Sequence, residues 1–261
     1  MRYVFISDVH GQYDKMLDAL SKADFDMEKD TIVNVGDPFD RGPDSRRVLD
    51  FLMRCPNRIL IWGNHDARLN QLIHKPWDIV GADFQNGITE TLDSFAPALK
   101  GYSTTDKLYH VSTMIQLSQY FRECVWAIEF KDLIATHAWV PYTRWMGKYT
   151  ICENWREFPD QGPWYECSWG NSRALAIQNQ WPDKKLLIGH WWAWDLAEAL
   201  GGEKRFDNKK EWVNADIFEN EHLIAIDGCS NYLKGGKVNA YVYESDEEPI
   251  TYPRRETLLD K

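Results

Sequence analysis

The chain has 261 residues, 44% of them hydrophobic and 27% charged, which suits one large soluble α/β domain with a sizeable core better than two independent domains. A formal net charge of −10 argues against a nucleic-acid polymer or an anionic membrane as partner, though not against a small positive pocket for a phosphate. Cys55, Cys124, Cys152, Cys167 and Cys229 are odd in number and contain no CxxC pair, so thiols are expected rather than a disulfide framework or structural zinc. No apolar stretch is long enough to span a bilayer, and Arg2 and a strand-like run follow Met1 where a signal core would lie; the expected location is the cytoplasm.

In chain order, residues 3–6 read as a buried strand, 12–22 as a helix with Met16, Leu17 and Leu20 inward, and 31–35 as a second strand. A second helix follows over 45–54 and a third strand over 59–62. This β-α-β-α-β order implies parallel strands joined by helical crossovers. From about 78 to 122 the pattern is helical and more polar, an insertion lying over one side of the sheet. Strands return at 125–130 and 133–136, and residues 139–182 are irregular and rich in Trp, Pro and Gly. Further strands are expected at 186–188, 223–226 and 238–243. Residues 1–245 therefore read as one domain, and 246–261 as a charged, loosely held tail.

Chemistry-bearing residues stand at the carboxyl ends of these strands. Asp8-Val9-His10-Gly11, Gly36-Asp37 and Gly63-Asn64-His65-Asp66 each follow a strand, where open α/β sheets bind ligands. His137 and His190 follow later strand-like runs. Singly these are weak signals, since a lone Asp-x-His is usually a turn and a lone histidine usually a satisfied core residue. Together they supply carboxylate, imidazole and amide donors suited to divalent Mn, Fe or Zn. Asp37 could bridge two ions roughly 3.5–4 Å apart, as in two-metal hydrolases that clamp a phosphoryl group and activate water.

Asp8-Val9-His10-Gly11, Gly36-Asp37-Pro38-Phe39-Asp40-Arg41-Gly42 and Gly63-Asn64-His65-Asp66 resemble, in order, the three signatures of the phosphoprotein phosphatase branch of the calcineurin-like metallophosphoesterases. His137 and His190 match the two later metal-ligand histidines of that branch. Asn86-Gly87 through Thr91-Leu92 resembles a motif of its bacterial members. The resemblance implies an α/β fold built on a β-sandwich flanked by helices, here with helical and Trp-rich insertions. It implies two divalent ions, Mn²⁺ first among them: Asp8 and His10 on one, Asp37 bridging, and Asn64, His137 and His190 on the other. A metal-bridging hydroxide would be the nucleophile and His65 the general acid, paired with Asp40. Arg41 would make a forked contact to phosphate, with Asn64 also near the substrate.

Departures from the pattern bear on the substrate. Trp62 stands where protein phosphatases of the branch carry Arg, and Asp66 where they carry Glu. Arg173 is similar to a later phosphate-binding arginine, or is an ordinary exposed helix residue. Gly63-Asn64-His65-Asp66, Gly189-His190-Trp191 and Asp227-Gly228-Cys229 look more like the symmetrical diadenosine tetraphosphatases, which commonly lack the counterpart of Asp40. The 13 tryptophans read first as packing for an insertion poor in aliphatic residues; Trp191 and Trp192, beside His190, are the best candidates for stacking on a substrate ring. The expected enzyme is a serine/threonine protein phosphatase-type phosphomonoesterase acting on a phosphorylated protein. Dinucleoside polyphosphate hydrolysis is the alternative, and an inactive binding module the remote one.

Overall fold

The computed structural model describes residues 1–201, 215–231 and 235–253. The amino-terminal half runs β1 (Arg2–Ile6), α1 (Tyr13–Lys22), β2 (Thr31–Asn34), α2 (Ser45–Arg54), β3 (Arg58–Leu60) and α3 (Asn64–His74). The helical stretch is α4 (Gly81–Gln85), α5 (Ile88–Phe95), α6 (Thr104–Ser112) and α7 (Ile115–Glu123). Next come β4 (Ala127–Glu129), β5 (Leu133–Thr136), β6 (Tyr142–Trp145), β7 (Lys148–Ile151), α8 (Pro163–Ser168) and α9 (Ser172–Ile177). The remainder is β8 (Lys185–Ile188), α10 (Ala193–Ala199), β9 (Phe218–Glu219), β10 (Leu223–Ala225), β11 (Ala240–Glu244) and β12 (Ile250–Tyr252).

Two sheets stack face to face. The first has the order β11-β1-β2-β3, with β1, β2 and β3 parallel and β11 antiparallel at the edge. The second has the order β12-β4-β5-β8-β10-β9, with a parallel centre of β5, β8 and β10. Side chains alternate along each strand. Tyr3, Phe5 and Val33 therefore meet Ile128, Leu133, Leu187 and Ile224 between the sheets. Val4, Ile6 and Ile32 face the helices on the outside of the first sheet. Central strands buried on both faces read as continuous apolar runs rather than alternating ones. The expected helix-flanked β-sandwich is the observed fold.

The helical insertion covers that first outer face, with α5 and α7 packed on α2 and α6 on α3. Several local expectations need correction. On α1 the inward residues are Met16, Ala19 and Leu20, while Leu17 lies 37% exposed, because the i, i+3, i+4 spacing places it off the buried face. β3 ends at Leu60, and Ile61 joins Val125 only through an isolated bridge. The stretch 139–182 is not wholly irregular: β6 and β7 form a hairpin, and α8 and α9 are helices.

The segment expected as a loose tail holds β12, paired antiparallel to β4. Tyr252 anchors it. Its ring is buried edge-on against Trp155, and its hydroxyl donates to Glu129 Oε2 at 2.5 Å. Residues 254–261 of that expected tail lie outside the described residues. The buried Trp139, Trp155 and Trp164 fulfil the packing role expected of the tryptophan-rich segment.

Candidate metal centre and active site

The sandwich brings every strand-end motif to one rim. Asp8 and His10 follow β1; Asp37, Asp40 and Arg41 follow β2; Asn64 and His65 open α3. His137 follows β5, His190 follows β8 and Asp227 follows β10. The first two loops are stitched together by Asp8 N–H to Gly36 O (3.1 Å), His10 N–H to Asp37 O (3.0 Å) and Gly11 N–H to Pro38 O (2.8 Å). Asp8, His10, Asp37, Asp40, Arg41 and His190 all adopt left-handed backbone conformations, with φ between 47° and 69°. Non-glycine residues bear that strain only where surrounding structure enforces it, and such positions gather at functional sites. Tight approach explains two glycines: a Cβ on Gly36 would lie 2.5 Å from His137 Nδ1, and one on Gly63 2.0 Å from Asp37 Oδ1.

Donor atoms converge around Asp37. Its Oδ2 lies 3.9 Å from His10 Nε2 and 3.3 Å from His137 Nε2. Asp8 Oδ1 is 3.9 Å from His10 Nε2. On the other side, Asn64 Oδ1 is 2.8 Å from His137 Nε2 and 3.1 Å from His190 Nδ1. All six residues named from the sequence are thus brought together, in two lobes sharing Asp37. Backbone carbonyls orient two of the rings. His10 Nδ1–H donates to Phe39 O and His137 Nδ1–H to Val35 O, each at 2.8 Å, which directs both Nε2 atoms into the site. Oxygen and imidazole donors at this spacing fit divalent cations.

Charge is distributed unevenly here. Burial, then the charge of Arg41, holds His10 well below the ordinary imidazole value; burial, then His137, pushes His190 down to about 3. For His137 burial works the same way, but Asp37 overrides it and the ring titrates at about 10. Asp37 in turn is held well below the carboxylate range, because the imidazoles around it outweigh its burial. Among the three histidines named as ligands, only His137 is therefore favoured in its charged, doubly protonated form at neutral pH.

Beside the metal lobes, His65 Nδ1–H donates to Asp40 Oδ2 at 2.7 Å. Burial disfavours charge on His65, yet Asp37 and then Asp40 outweigh it, and the imidazole sits above its ordinary value. Arg41 reaches across the mouth, with Nη1 2.6 Å from His10 Nε2 and Nη2 3.0 Å from His65 Nε2. Guanidinium can only donate, so in this arrangement both Nε2 atoms accept. That geometry opposes the raised value at His65: protonating its Nε2 must push Arg41 outward, toward the cavity. His10, Arg41 and His65 line a cavity of about 230 Å³ together with Trp191, Trp192 and Asp227.

Arg173 does not join this group. Its Nε pairs with Asp195 Oδ2 at 3.2 Å, and the same carboxylate oxygen accepts from Trp191 Nε1 at 2.6 Å. Trp62, which stands where the resemblance implied an arginine in protein phosphatases, is buried and stacked on Phe121.

Sequence reasoning gave no role to three residues. Asp66 Oδ2 accepts from the backbone N–H groups of Asp37 (3.2 Å) and Gly63 (3.0 Å), tying two ligand loops together. Burial, then the charge of Asp37, raises its carboxyl to about 8. Asp227, in a motif noted from the sequence, lines the cavity, and burial followed by Asp8 holds it well above the carboxylate range. Thr91 bonds to Asp40, a contact between segments 51 residues apart that no local pattern displays.

A family model, calcineurin-like phosphoesterase, matches residues 1–191. Among curated proteins, the symmetrical bis(5'-nucleosyl)-tetraphosphatase of Edwardsiella ictaluri (strain 93-146) is 44% identical over 70 residues, covering 26% of this chain and 25% of its own length. That of Buchnera aphidicola (strain 5A) is 40% identical over 70 residues, 26% of each chain. This chain thus spans about a quarter of the length of these relatives. Among solved structures, a putative diadenosine tetraphosphatase superposes with a TM-score of 0.52 at 19% identity, over 97% of this chain and 93% of that one. A cold-active protein-tyrosine phosphatase of a psychrophilic Shewanella gives a TM-score of 0.50 at 19% identity, over 92% and 74%. At such identity the structural matches establish the fold. With nearly three-quarters of its length matched by the family model, the chain belongs to the calcineurin-like phosphoesterase family, and its strand-end donors converge at the rim.

Proposed function

We propose that the protein is a two-metal phosphomonoesterase of the serine/threonine protein phosphatase type, with His65 as its general acid. The observation that carries this reading is the 2.7 Å His65–Asp40 hydrogen bond at the edge of the donor cluster. Asp8, His10 and Asp37 would hold one ion, and Asp37, Asn64, His137 and His190 the other. The donor set accepts Mn²⁺, and Fe or Zn as well; Mn²⁺ is the ion we assign. When bound, the two cations supply the clamp on the phosphoryl oxygens and the activation of the attacking water.

The remaining work falls to the chain. Arg41 leaves His10 and His65 and presents its two terminal nitrogens to phosphate oxygens. Asn64 lies within reach of the same group. His65, its Nδ1 held by Asp40, gives the proton on Nε2 to the departing alkoxide as the P–O bond breaks, so inorganic phosphate and a neutral alcohol leave. Asp37 and Asp40 favour the charged ring that this step needs.

A second reading has its own support. Trp191 and Trp192 line the cavity, Trp192 is 36% exposed, and the curated relatives are named as tetraphosphatases. Such side chains suit stacking on a nucleobase, as dinucleoside polyphosphate hydrolysis would require. Mn²⁺-loaded protein should be assayed in parallel on a phosphoserine protein, p-nitrophenyl phosphate and diadenosine tetraphosphate. Rapid phosphoprotein turnover supports the first reading. Fast cleavage of the dinucleotide with negligible phosphoprotein turnover replaces it with the second, and two-ion binding without turnover of any of them overturns both.

A further inference from the structure

The amino-terminal turn of α5 is built around the Asp40-Arg41 pair. Thr91 is fully buried and its hydroxyl is committed to one carboxylate: it donates to Asp40 Oδ1 at 2.8 Å. Thr91 Oγ1 in turn accepts the backbone N–H of Asp40 at 2.7 Å and lies 3.3 Å from Ser45 Oγ. With one oxygen of Asp40 held by Thr91, the other faces His65 Nδ1. One turn earlier, Gly87 (φ +92°) packs on the neighbouring residue, where a Cβ would come within 2.3 Å of Arg41 N. Arg41 N–H points to Gly87 O at 3.4 Å.

We infer that Thr91 is a positioning residue for the general acid, its hydroxyl fixing the rotation of the Asp40 carboxylate and through it the ring of His65. The inference rests on the assignment of His65 as acid made above. Asp40 sits at φ +67°, in a loop that follows β2 and has no helix of its own. A carboxylate in such a loop turns freely about χ2 unless a second partner holds it. The donor matters chemically as well as geometrically. A hydroxyl donating to Oδ1 leaves Oδ2 as the acceptor that holds the Nδ1–H tautomer of His65. The helical insertion thereby contributes to the chemistry, although none of its residues belongs to the proposed ligand set.

Thr91→Val keeps the shape and deletes the hydroxyl; Thr91→Ser restores it. On an alkyl phosphate, whose leaving group needs the proton, Thr91→Val should lower kcat about 10- to 100-fold with KM and metal content unchanged. On p-nitrophenyl phosphate the loss should stay below about threefold, and Thr91→Ser should lie within about threefold of wild type on both. Adding Thr91→Val to Asp40→Asn should cost nothing further. Equal losses on both substrates, or full additivity with Asp40→Asn, overturn the inference. If the valine variant is unstable, Thr91→Ala carries the same readout.

A measurement independent of turnover separates this inference from the assignment beneath it. In metal-free protein the His65 Nδ1–H proton should give a sharp downfield NMR resonance, broadened in Thr91→Val and recovered in Thr91→Ser. An unchanged resonance in Thr91→Val overturns the positioning role. Failure of His65→Asn to show the leaving-group effect overturns instead the acid role, and with it this inference.

Discussion

Arg41 Nη1 lies 2.6 Å from His10 Nε2, on the lone pair that a metal at that histidine would use. Guanidinium and metal therefore compete for one atom, and occupancy of the metal lobe sends Arg41 toward the phosphate position. Removing the side chain should have opposite effects on the two ligands. Arg41→Ala is expected to tighten metal binding at the Asp8–His10 lobe by about tenfold, because a neighbouring positive charge disappears. The same variant should raise KM about 10- to 100-fold through loss of the forked phosphate contact. Titration calorimetry with Mn²⁺ and steady-state kinetics read the two separately; unchanged values in both would refute the competition.

Proton release accompanies metal binding in a countable way. His137 titrates at about 10, whereas His190 has been pushed to about 3 and His10 well below its ordinary value. The metal needs the neutral Nε2 of His137, so at pH 7 to 9 binding expels its proton and affinity rises with pH, by up to about tenfold per unit. Calorimetry in buffers of different ionisation enthalpy should count about one proton per protein at pH 7.5. No release, or release of three protons, contradicts this charge assignment.

Asp37→Asn removes the charge that sustains the proton on His137 and that would bridge the two proposed ions. It should abolish turnover, weaken uptake of both ions and suppress that proton release. Metal analysis after dialysis decides the matter: two retained ions with near-normal turnover would exclude a bridging role.

His65→Asn should behave differently. Metal content stays near wild type, while hydrolysis of esters with poor leaving groups falls about 10²- to 10⁴-fold. Esters of acidic phenols should lose much less. Concurrent loss of metal would show that His65 is a ligand, a reading its 4.0 Å approach to Asp37 Oδ2 makes worth testing.

Asp66 supplies a stability test on metal-free protein. Its folded value, about 8, stands above the ordinary carboxylate value, so between about pH 4 and 8 the native state holds a proton that the unfolded chain has lost. Stability should therefore fall as pH rises through that window, by at most about 1.4 kcal/mol per pH unit from this group. Asp66→Asn should remove that part of the slope while its amide oxygen keeps the two backbone bonds. Urea titrations at pH 5 and 7 compare the slopes; parallel curves for the two proteins would disprove a raised value.

The residues legible in the sequence share a physical setting. Asp8, Asp37, His137 and His190 each stand directly after a strand whose two faces are buried, so a continuous apolar run points at them. The same runs gave the parallel strands and their helical crossovers, whereas the second sheet and the sandwich were implied by the family resemblance alone. Other positions were hidden because their partners are remote along the chain. Thr91 looks like any inward helix residue until α5 is docked beside Asp40, and Asp66 like any first-turn acid until its carboxylate meets the backbone of Asp37. The β6–β7 hairpin escaped notice because Arg144, Trp145 and Lys148 are all exposed, which erases the alternation that marks a half-buried strand. β12 escaped because a strand of only three residues lies between an acidic run ending in Pro249 and Pro253 with two arginines after it.

The placement of β11 and β12 governs when the molecule can form. Strand β11 pairs with β1 from the far end of the chain, and β12 closes the edge of the second sheet beside β4. On a ribosome, neither sheet can be completed until β11 and β12 have been synthesised, more than 230 residues after β1. Asp8 and His190, 182 residues apart and joined by a hydrogen bond from His190 N–H to Asp8 Oδ2, meet late for the same reason. Folding should be slow, as long-range pairing generally is, and a nascent chain arrested before residue 240 should capture metal poorly.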